Sequence, residues 1–170
     1  MRAWWSGSGP EFLVQPVEAI VGALSVRLVE SHPANRATQI DAWRAEIPVL
    51  QSAVQTLAGP CRVLLEYPIL RLGRRIDAVV LTESAILVLE FKVGAVSISN
   101  ADREQVEDYA LDLFDFHATS RSHPIIPILV ATEARHRPVQ WPLIMNTGVT
   151  SPVLEASAAN VASLFASIDT

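Results

Sequence analysis

Residues 74–92 read RRIDAVVLTESAILVLEFK, and this stretch decides how the middle of the chain folds. Two short runs rich in Val, Ile and Leu, Ile76–Leu81 and Ala85–Val93, are separated by three polar residues. Such runs on either side of a short polar turn predict a β-hairpin. Asp77 and Glu90 lie at matching distances from the turn, so the hairpin is expected to bring their side chains next to each other.

Two carboxylates and an ammonium meet at the open end of this predicted hairpin. Because successive side chains of a strand point to opposite faces, Glu90 and Lys92 share one face while Phe91 turns into the core. Mg²⁺ and Mn²⁺ prefer oxygen ligands, which Asp77 and Glu90 supply, with the Phe91 carbonyl as a third. Lys92 is then placed to act as a general base or to stabilise negative charge. The set predicts a divalent-metal site suited to phosphodiester cleavage.

The size and composition of the chain restrict the class of protein. Its 170 residues fit one domain with a substantial core. Cys61 is the one cysteine, so no intramolecular disulfide can form and a cytoplasmic location is expected. No apolar stretch approaches the roughly 20 residues needed to cross a bilayer, so no membrane association is expected. The net charge of −5 argues against a surface that coats nucleic acid generally.

Periodicity and turn signals predict the other elements. Before the hairpin they are a helix over Glu11–Glu30 despite Pro16, an amphipathic helix from Ile40 to Leu57 that is kinked at Pro48 or broken near Glu46, and a strand over Arg62–Leu70. After the hairpin come a helix from Ala101 to about His117 capped by Asn100 and a strand over Ile125–Ala131 with a local irregularity at Pro127. A loop over Thr132–Thr150 and a closing helix over Leu154–Ile168 complete the chain.

This order of elements predicts an α/β fold in which helices flank a mixed β-sheet. The step from the strand of Glu90 through a helix to Ile125–Ala131 is a βαβ crossover, so those two strands are expected to be parallel. The predicted organisation is one domain over residues 1–170, with a helical extension over 1–34, a core over 35–131 and a loop and helix over 132–170.

Five residues carry a resemblance to a known superfamily. Asp77, the pair Glu90 and Lys92, and Gln105 with Tyr109 on the following helix resemble the restriction-endonuclease-like PD-(D/E)xK superfamily. The Gln-x-x-x-Tyr pattern is similar to the exonuclease branch typified by the RecB nuclease domain. The predicted element order matches the α-β-β-β-α-β core of that superfamily. Residues 75–116 also look like the N-terminal domain of bacterial proteins that continue into a P-loop helicase-like ATPase.

The resemblance implies roles, cofactors and partners. It gives Asp77 and Glu90 as ligands of Mg²⁺ or Mn²⁺, Lys92 as catalytic base or stabiliser, and Gln105 and Tyr109 as supporting or substrate-contacting residues. A Glu from the preceding helix is also implied; Glu46 is the first candidate and Glu66, on the next strand, the substitute. The expected substrate is DNA or RNA, and the expected setting is DNA processing or defence against foreign DNA beside an ATPase or helicase. A homodimer is a further arrangement left open.

Charges outside these residues admit two interpretations each. Arg71, Arg74 and Arg75 cluster before Asp77, either as an exposed turn or as contacts to nucleic-acid phosphates. The helix from Ala101 is strongly acidic, which indicates a solvated face or a contact with a basic partner. The alternatives to a nuclease are the same fold without catalysis, binding nucleic acid or protein, and a metal-free domain in which the central charges form an ion-pair network.

Overall fold

The protein is described from a computed structural model, which covers residues 3–31, 36–116, 122–135 and 151–168. The strands are β1 Trp5–Ser8, β2 Arg62–Ile69, β3 Arg74–Leu81, β4 Ile86–Lys92, β5 Ile125–Ala131 and β6 Leu154–Ala156. The helices are α1 Gly9–Val14, α2 Val17–Ser31, α3 Arg36–Val54, α4 Asn100–Phe116 and α5 Val161–Ile168.

The strands form one mixed sheet in the spatial order β1-β2-β3-β4-β5-β6. Strands β1 to β4 pair antiparallel, whereas β4–β5 and β5–β6 pair parallel. The predicted α/β class with a mixed, helix-flanked sheet is therefore confirmed, as is the parallel crossover from β4 through α4 to β5. The order α3-β2-β3-β4-α4-β5 is the predicted order of the core.

Helices cover both faces of the sheet, and each face has its own apolar core. On one face, residues of α1, α2, α3 and α5 pack together, with Trp43 and Phe165 among the fully buried side chains. On the other face α4 packs through Val106 and Tyr109. A strand covered on both faces needs apolar side chains at every position, which explains why all seven residues of β5 are buried and apolar.

The alternation of side chains breaks once in the β2–β3 pair. Leu65 and Ala78 pair with each other and lie in the core beneath α3. Two positions along, Tyr67 and Ile76 also pair, but they pack in the core beneath α4. Glu66, between them on β2, has a φ of +51°, a left-handed conformation that is uncommon outside glycine. At this residue the alternation of side chains is interrupted, so that Leu65 and Tyr67, two positions apart, point to opposite faces of the sheet.

The N-terminal segment differs from the predicted helical extension. Trp5–Ser8 forms β1, which pairs with β2 and is therefore part of the sheet. The predicted single helix over Glu11–Glu30 is wrong, because the chain is extended at Gln15 before Pro16 and separates α1 from α2. Pro16 lacks the N–H that a continuous helix would use, which accounts for the break.

Three further predictions on helices are corrected. Helix α3 continues through Pro48, so the predicted break near Glu46 is wrong, while the predicted kink at Pro48 stays a prediction. The buried face from Trp43 to Val54 offsets the hydrogen bond that Pro48 cannot make. Ser99, not Asn100, caps α4: its hydroxyl accepts from the Asp102 N–H at 3.2 Å. The predicted helix over Leu154–Ile168 is partly wrong, since its first residues form strand β6.

Two of the predictions concern residues outside the described segments, namely His117 and the loop residues 136–150. Pro127 does not interrupt β5, where it pairs with Val88. Within the described segments no helix has the length and apolar character required to cross a membrane.

Candidate functional site

Asp77 and Glu90 come together at the end of the β3–β4 hairpin. The last regular pair of this hairpin is Ala78 with Leu89, and Asp77 and Glu90 are the next residues on the two strands in the direction away from the turn. The Phe91 N–H donates to Asp77 Oδ2 at 2.8 Å, so the acceptor of this N–H is a side-chain carboxylate and not a backbone carbonyl of the neighbouring strand. Burial, and then the charges of Glu90 and Glu46, raise the pKa of Asp77 well above its usual value.

Glu90 is buried, and only one of its two carboxylate oxygens accepts hydrogen bonds from the described residues. Its Oε1 accepts from Lys92 Nζ at 3.0 Å and from Gln105 Nε2 at 2.8 Å. Its Oε2 is buried and has no hydrogen-bond partner among the described residues. Burial raises the pKa of Glu90, although the Lys92 ammonium acts in the opposite direction. An unpartnered carboxylate oxygen in the interior is costly unless a cation or a proton meets it.

Lys92 is held by three oxygen atoms. Its Nζ lies 3.0 Å from Glu90 Oε1, 2.9 Å from Gln105 Oε1 and 3.4 Å from Asp102 Oδ1. Burial alone would lower the pKa of Lys92, but the Glu90 and Asp102 carboxylates outweigh it and raise the pKa. Lys92 is therefore a protonated ammonium at neutral pH, fixed beside Glu90.

Helix α4 supplies the polar residues that fix this ammonium. Gln105 and Tyr109, four residues apart, share the face that packs on the sheet. The Gln105 amide accepts from Lys92, and its Nε2 donates to Glu90 and, at 2.7 Å, to the Tyr109 hydroxyl oxygen. Both members of the Gln-x-x-x-Tyr pattern therefore stand beside Glu90 and Lys92. Burial raises the pKa of Tyr109, which keeps its hydroxyl neutral.

Glu46 of α3 faces the same place from the opposite side of the sheet. Together with Asp77 it lines a small, otherwise apolar cavity of about 10 Å³, room for the centre of one water-sized sphere. Burial, followed by the charges of Glu66 and Glu90, raises the pKa of Glu46 to about 8. The structure therefore brings Glu46 to the site despite its position two residues before Pro48.

Glu66, the substitute for Glu46, is placed differently. It is 3% exposed, and both of its oxygens are occupied. Trp43 Nε1 donates to Oε1 at 2.7 Å, and Arg75 Nε donates to Oε2 at 2.5 Å. Glu66 does not line the cavity that Glu46 and Asp77 share. Its contacts are to structural partners, and Glu46 is the residue of the two that faces Asp77.

The three arginines before Asp77 have separate surroundings. Arg71 pairs with the buried Asp112 at 2.8 Å and stacks over the Phe116 ring, and Arg75 pairs with Glu66. Arg74 is exposed, and no hydrogen bond or ion pair joins its side chain to another described residue. Arg74 lies two residues before Ile76 on β3, and because Ile76 packs beneath α4, the alternation of the strand places Arg74 on the α4 side of the site. Arg74 is thus the arginine of the three that a ligand can reach without displacing a partner.

A divalent cation fits part of this arrangement. Within the described segments, no three His, Cys, Asp or Glu side chains form a group that could hold a metal ion. Mg²⁺, however, commonly takes one or two carboxylates and completes its shell with water. Asp77 and Glu90 provide two adjacent carboxylates, and Glu90 Oε2 has no other partner in the described part of the chain. These two residues would hold the ion, and Glu46 faces Asp77 across the cavity.

Sequence reasoning missed the residues that support the site. Asp102 is a third partner of Lys92, and the Ser99-x-x-Asp102 capping pattern would have placed it at the start of α4. The contacts of Trp43 and Arg75 with Glu66 carry no signal in the sequence, where Arg75 is noticed only as part of the arginine cluster before Asp77. No protein-family model, curated protein or solved structure matches the chain.

Proposed function

We propose that this chain is a Mg²⁺- or Mn²⁺-dependent nuclease-like domain that hydrolyses phosphodiester bonds in DNA or RNA. The observation that carries the proposal is the buried, unpartnered oxygen of Glu90 beside Asp77, with the ammonium of Lys92 fixed at 3.0 Å. The resemblance of Asp77, Glu90, Lys92, Gln105 and Tyr109 to the PD-(D/E)xK superfamily supports the same function.

The charge balance of the site favours a bound cation over a plain ion-pair network. Asp77, Glu90 and Glu46 each have a raised pKa, and Lys92 is the one ammonium that contacts any of them among the described residues. A structural ion pair needs one carboxylate for one ammonium, and additional buried carboxylates destabilise it. When bound, a divalent cation polarises the scissile phosphate and lowers the pKa of a bound water.

The residues around Glu90 then have defined roles. The raised pKa of Lys92 favours the ammonium form, which suits the stabilisation of negative charge on the phosphate. Gln105 orients Lys92 and Glu90 through its two amide atoms, and Tyr109 fixes Gln105. This preorganisation means that the ammonium does not have to move when substrate arrives.

A non-catalytic binding module is the second candidate, and the surface of α4 favours it. The exposed acids of this helix, Glu104, Glu107, Asp108 and Asp115, would repel a polynucleotide that lies along it. Such a surface suits a basic protein partner, and an ATPase or helicase that delivers the nucleic acid would fit this arrangement. Asp112, by contrast, is buried and paired with Arg71, so it does not belong to the solvated face.

The first test is cleavage by the unmodified protein. We expect Mn²⁺ or Mg²⁺ to support cleavage of single-stranded DNA, double-stranded DNA or RNA, and excess EDTA to abolish it, because the two carboxylates need a cation to engage phosphate. End-labelled substrates of each kind, resolved on denaturing gels, measure the reaction. Cleavage that persists in EDTA would contradict the metal dependence, and binding without cleavage in both metals would favour the second candidate.

Replacement of Arg74 by Gln is expected to weaken substrate binding without loss of stability. The exposed guanidinium has no partner to lose among the described residues, and one phosphate contact reduces the salt dependence of log Kd by about 1. Fluorescence anisotropy on labelled oligonucleotides at several salt concentrations measures this slope. Arg62→Gln is the matched control, because it removes the same charge at the other end of the β2–β3 hairpin. Equal slopes for the two variants would remove Arg74 from the binding surface.

A further inference from the structure

Glu66 has an unusual combination of burial, charge and backbone conformation. It is 3% exposed, and its φ of +51° lies in the left-handed region that residues with a side chain rarely adopt. A conformation of this kind persists only where the surrounding structure holds it in place. The contacts of its carboxylate identify what holds it.

The Glu66 carboxylate joins two separate parts of the fold. Oε1 accepts from Trp43 Nε1 of α3 at 2.7 Å, and Oε2 accepts from Arg75 Nε of β3 at 2.5 Å. The Arg75 guanidinium stacks over the ring of Trp4 at 4.2 Å. Trp4 in turn meets Trp43 edge to face, with 6.3 Å between the ring centroids. Gln39 Nε2 also donates to Oε1, at 3.5 Å, so Glu66 is the centre of a group of five side chains.

One consequence concerns the backbone of Asp77. The β2–β3 ladder pairs Leu65 with Ala78 and Tyr67 with Ile76, and no regular pair joins Glu66 to Asp77 between them. The interruption at Glu66 is matched on β3 at Asp77, because Ile76 and Ala78 on either side of it also point to opposite faces of the sheet. Asp77 is therefore released from the regular ladder, and its carboxylate accepts the Phe91 N–H of β4 and lines the cavity.

A second consequence concerns Glu46. Trp43 and Glu46 are three residues apart on α3, so they share one face of that helix. The bond from Trp43 to Glu66 ties this face to β2 at a point next to Asp77. It therefore fixes the rotation of α3 about its own axis, and with it the direction of the Glu46 side chain towards the cavity.

We propose that Glu66 is a positioning residue that, through Trp43, sets Glu46 for cation binding without contacting the cation itself. The inference rests on the proposed function, because it names the group that orients the same metal site. Glu66 is not itself a ligand, since Trp43 and Arg75 occupy both of its oxygens. The absence of Glu66 from the cavity wall agrees with this role.

The test is a double-mutant cycle on Mn²⁺ affinity. Trp43→Phe removes the indole N–H that bonds Glu66 but keeps an aromatic ring in the core. Glu46→Gln removes the carboxylate through which the bond from Trp43 to Glu66 is expected to affect the cation. Trp43→Phe should weaken Mn²⁺ binding about tenfold in the wild-type protein, the loss usual for a partner that orients a ligand. In the Glu46→Gln background the same change should weaken binding less than about twofold, because the carboxylate that it positions is gone.

Electron paramagnetic resonance of free Mn²⁺ gives the affinities, and circular dichroism with thermal midpoints verifies that each variant is folded. Arg44→Gln is the control, because it removes the Glu18 ion pair between α2 and α3 without touching Glu66, and it should leave Mn²⁺ affinity unchanged. If Trp43→Phe does not fold, Arg75→Lys replaces it in the cycle, since it keeps the charge and loses the Nε bond.

Each result decides between two claims. Equal losses from Trp43→Phe in both backgrounds would overturn the positioning role and leave the proposed function standing. No Mn²⁺ binding by the wild-type protein would overturn the proposed function, and the positioning role would fall with it.

Discussion

Replacing Lys92 by Ala is expected to slow phosphodiester cleavage about a hundredfold to a thousandfold, the usual loss when one preorganised charge stabiliser is removed. The reason is geometric: Glu90, Gln105 and Asp102 hold the ammonium before substrate arrives. Lys92 stands at the end of β4 and is partly exposed, so its loss should lower stability through the unpaired Glu90 without unfolding the protein. Single-turnover rates at saturating Mn²⁺ measure the effect.

The matched controls for this prediction lie on the same elements. Arg103→Gln removes one positive charge from α4, where Arg103 pairs with Glu155, and should leave the rate within about twofold of wild type, as surface changes away from a site usually do. Asp77→Asn keeps the size of the side chain and should match the loss of Lys92→Ala. Equal rates in the wild type, Lys92→Ala and Asp77→Asn would remove the catalytic assignment.

The metal-free protein is expected to lose stability as the pH rises from 5 to 8.5. The pKa of Glu46 is raised from 4.5 to about 8, so between these values the folded state binds a proton that the unfolded state has released. Stability therefore falls with rising pH across this window, and the raised pKa values of Asp77 and Glu90 act in the same direction. Allowing for the partial exposure of Glu46, the loss is on the order of 2 kcal/mol, or a Tm lower by about 5 °C.

Two changes should cancel this loss. Glu46→Gln removes the carboxyl that must ionise in the interior, so the variant should be more stable than the wild type at pH 8.5. Saturating Mn²⁺ should also restore stability at high pH, because a ligand that binds only the folded state stabilises it. Thermal denaturation from pH 5 to 8.5, in EDTA and in Mn²⁺, measures both effects.

Glu104→Gln is the control for the pH profile, because it removes an exposed carboxylate of α4 outside the site and should follow the wild-type curve. A flat stability profile for the metal-free wild type would show that Glu46 does not hold a proton in the folded state. A Mn²⁺ response retained by Glu46→Gln but lost in Glu90→Gln would place the cation at Asp77 and Glu90 alone.

Local pattern explains which parts of the fold could be predicted. Strands β2 to β5 were recognisable because each is a short apolar run between turn signals, and α4 because its apolar residues recur at helical spacing. Strands β1 and β6 were missed for the opposite reason. They have four and three residues, and both lie at the edges of the sheet, where pairing with a neighbour defines them more than their own residues do.

The local pattern of the sequence was enough to predict the hairpin of β3 and β4, and with it the meeting of Asp77 and Glu90. It also determined that Lys92 shares a face with Glu90 and that Gln105 and Tyr109 share a face of α4. These relations depend on the period of a strand or a helix and on the length of one turn, all of which are local.

The packing of α3 on the sheet, which no local pattern shows, places Glu46 opposite Asp77 and Glu66 beside Trp43 and Arg75. The same is true of Arg74, which is left available while Arg71 is paired with Asp112. In each case the position of a charged side chain depends on whether a residue of another helix or strand lies close enough to pair with it. Burial makes an unpaired charge costly, and the packing of helices on the sheet determines which partner is within reach.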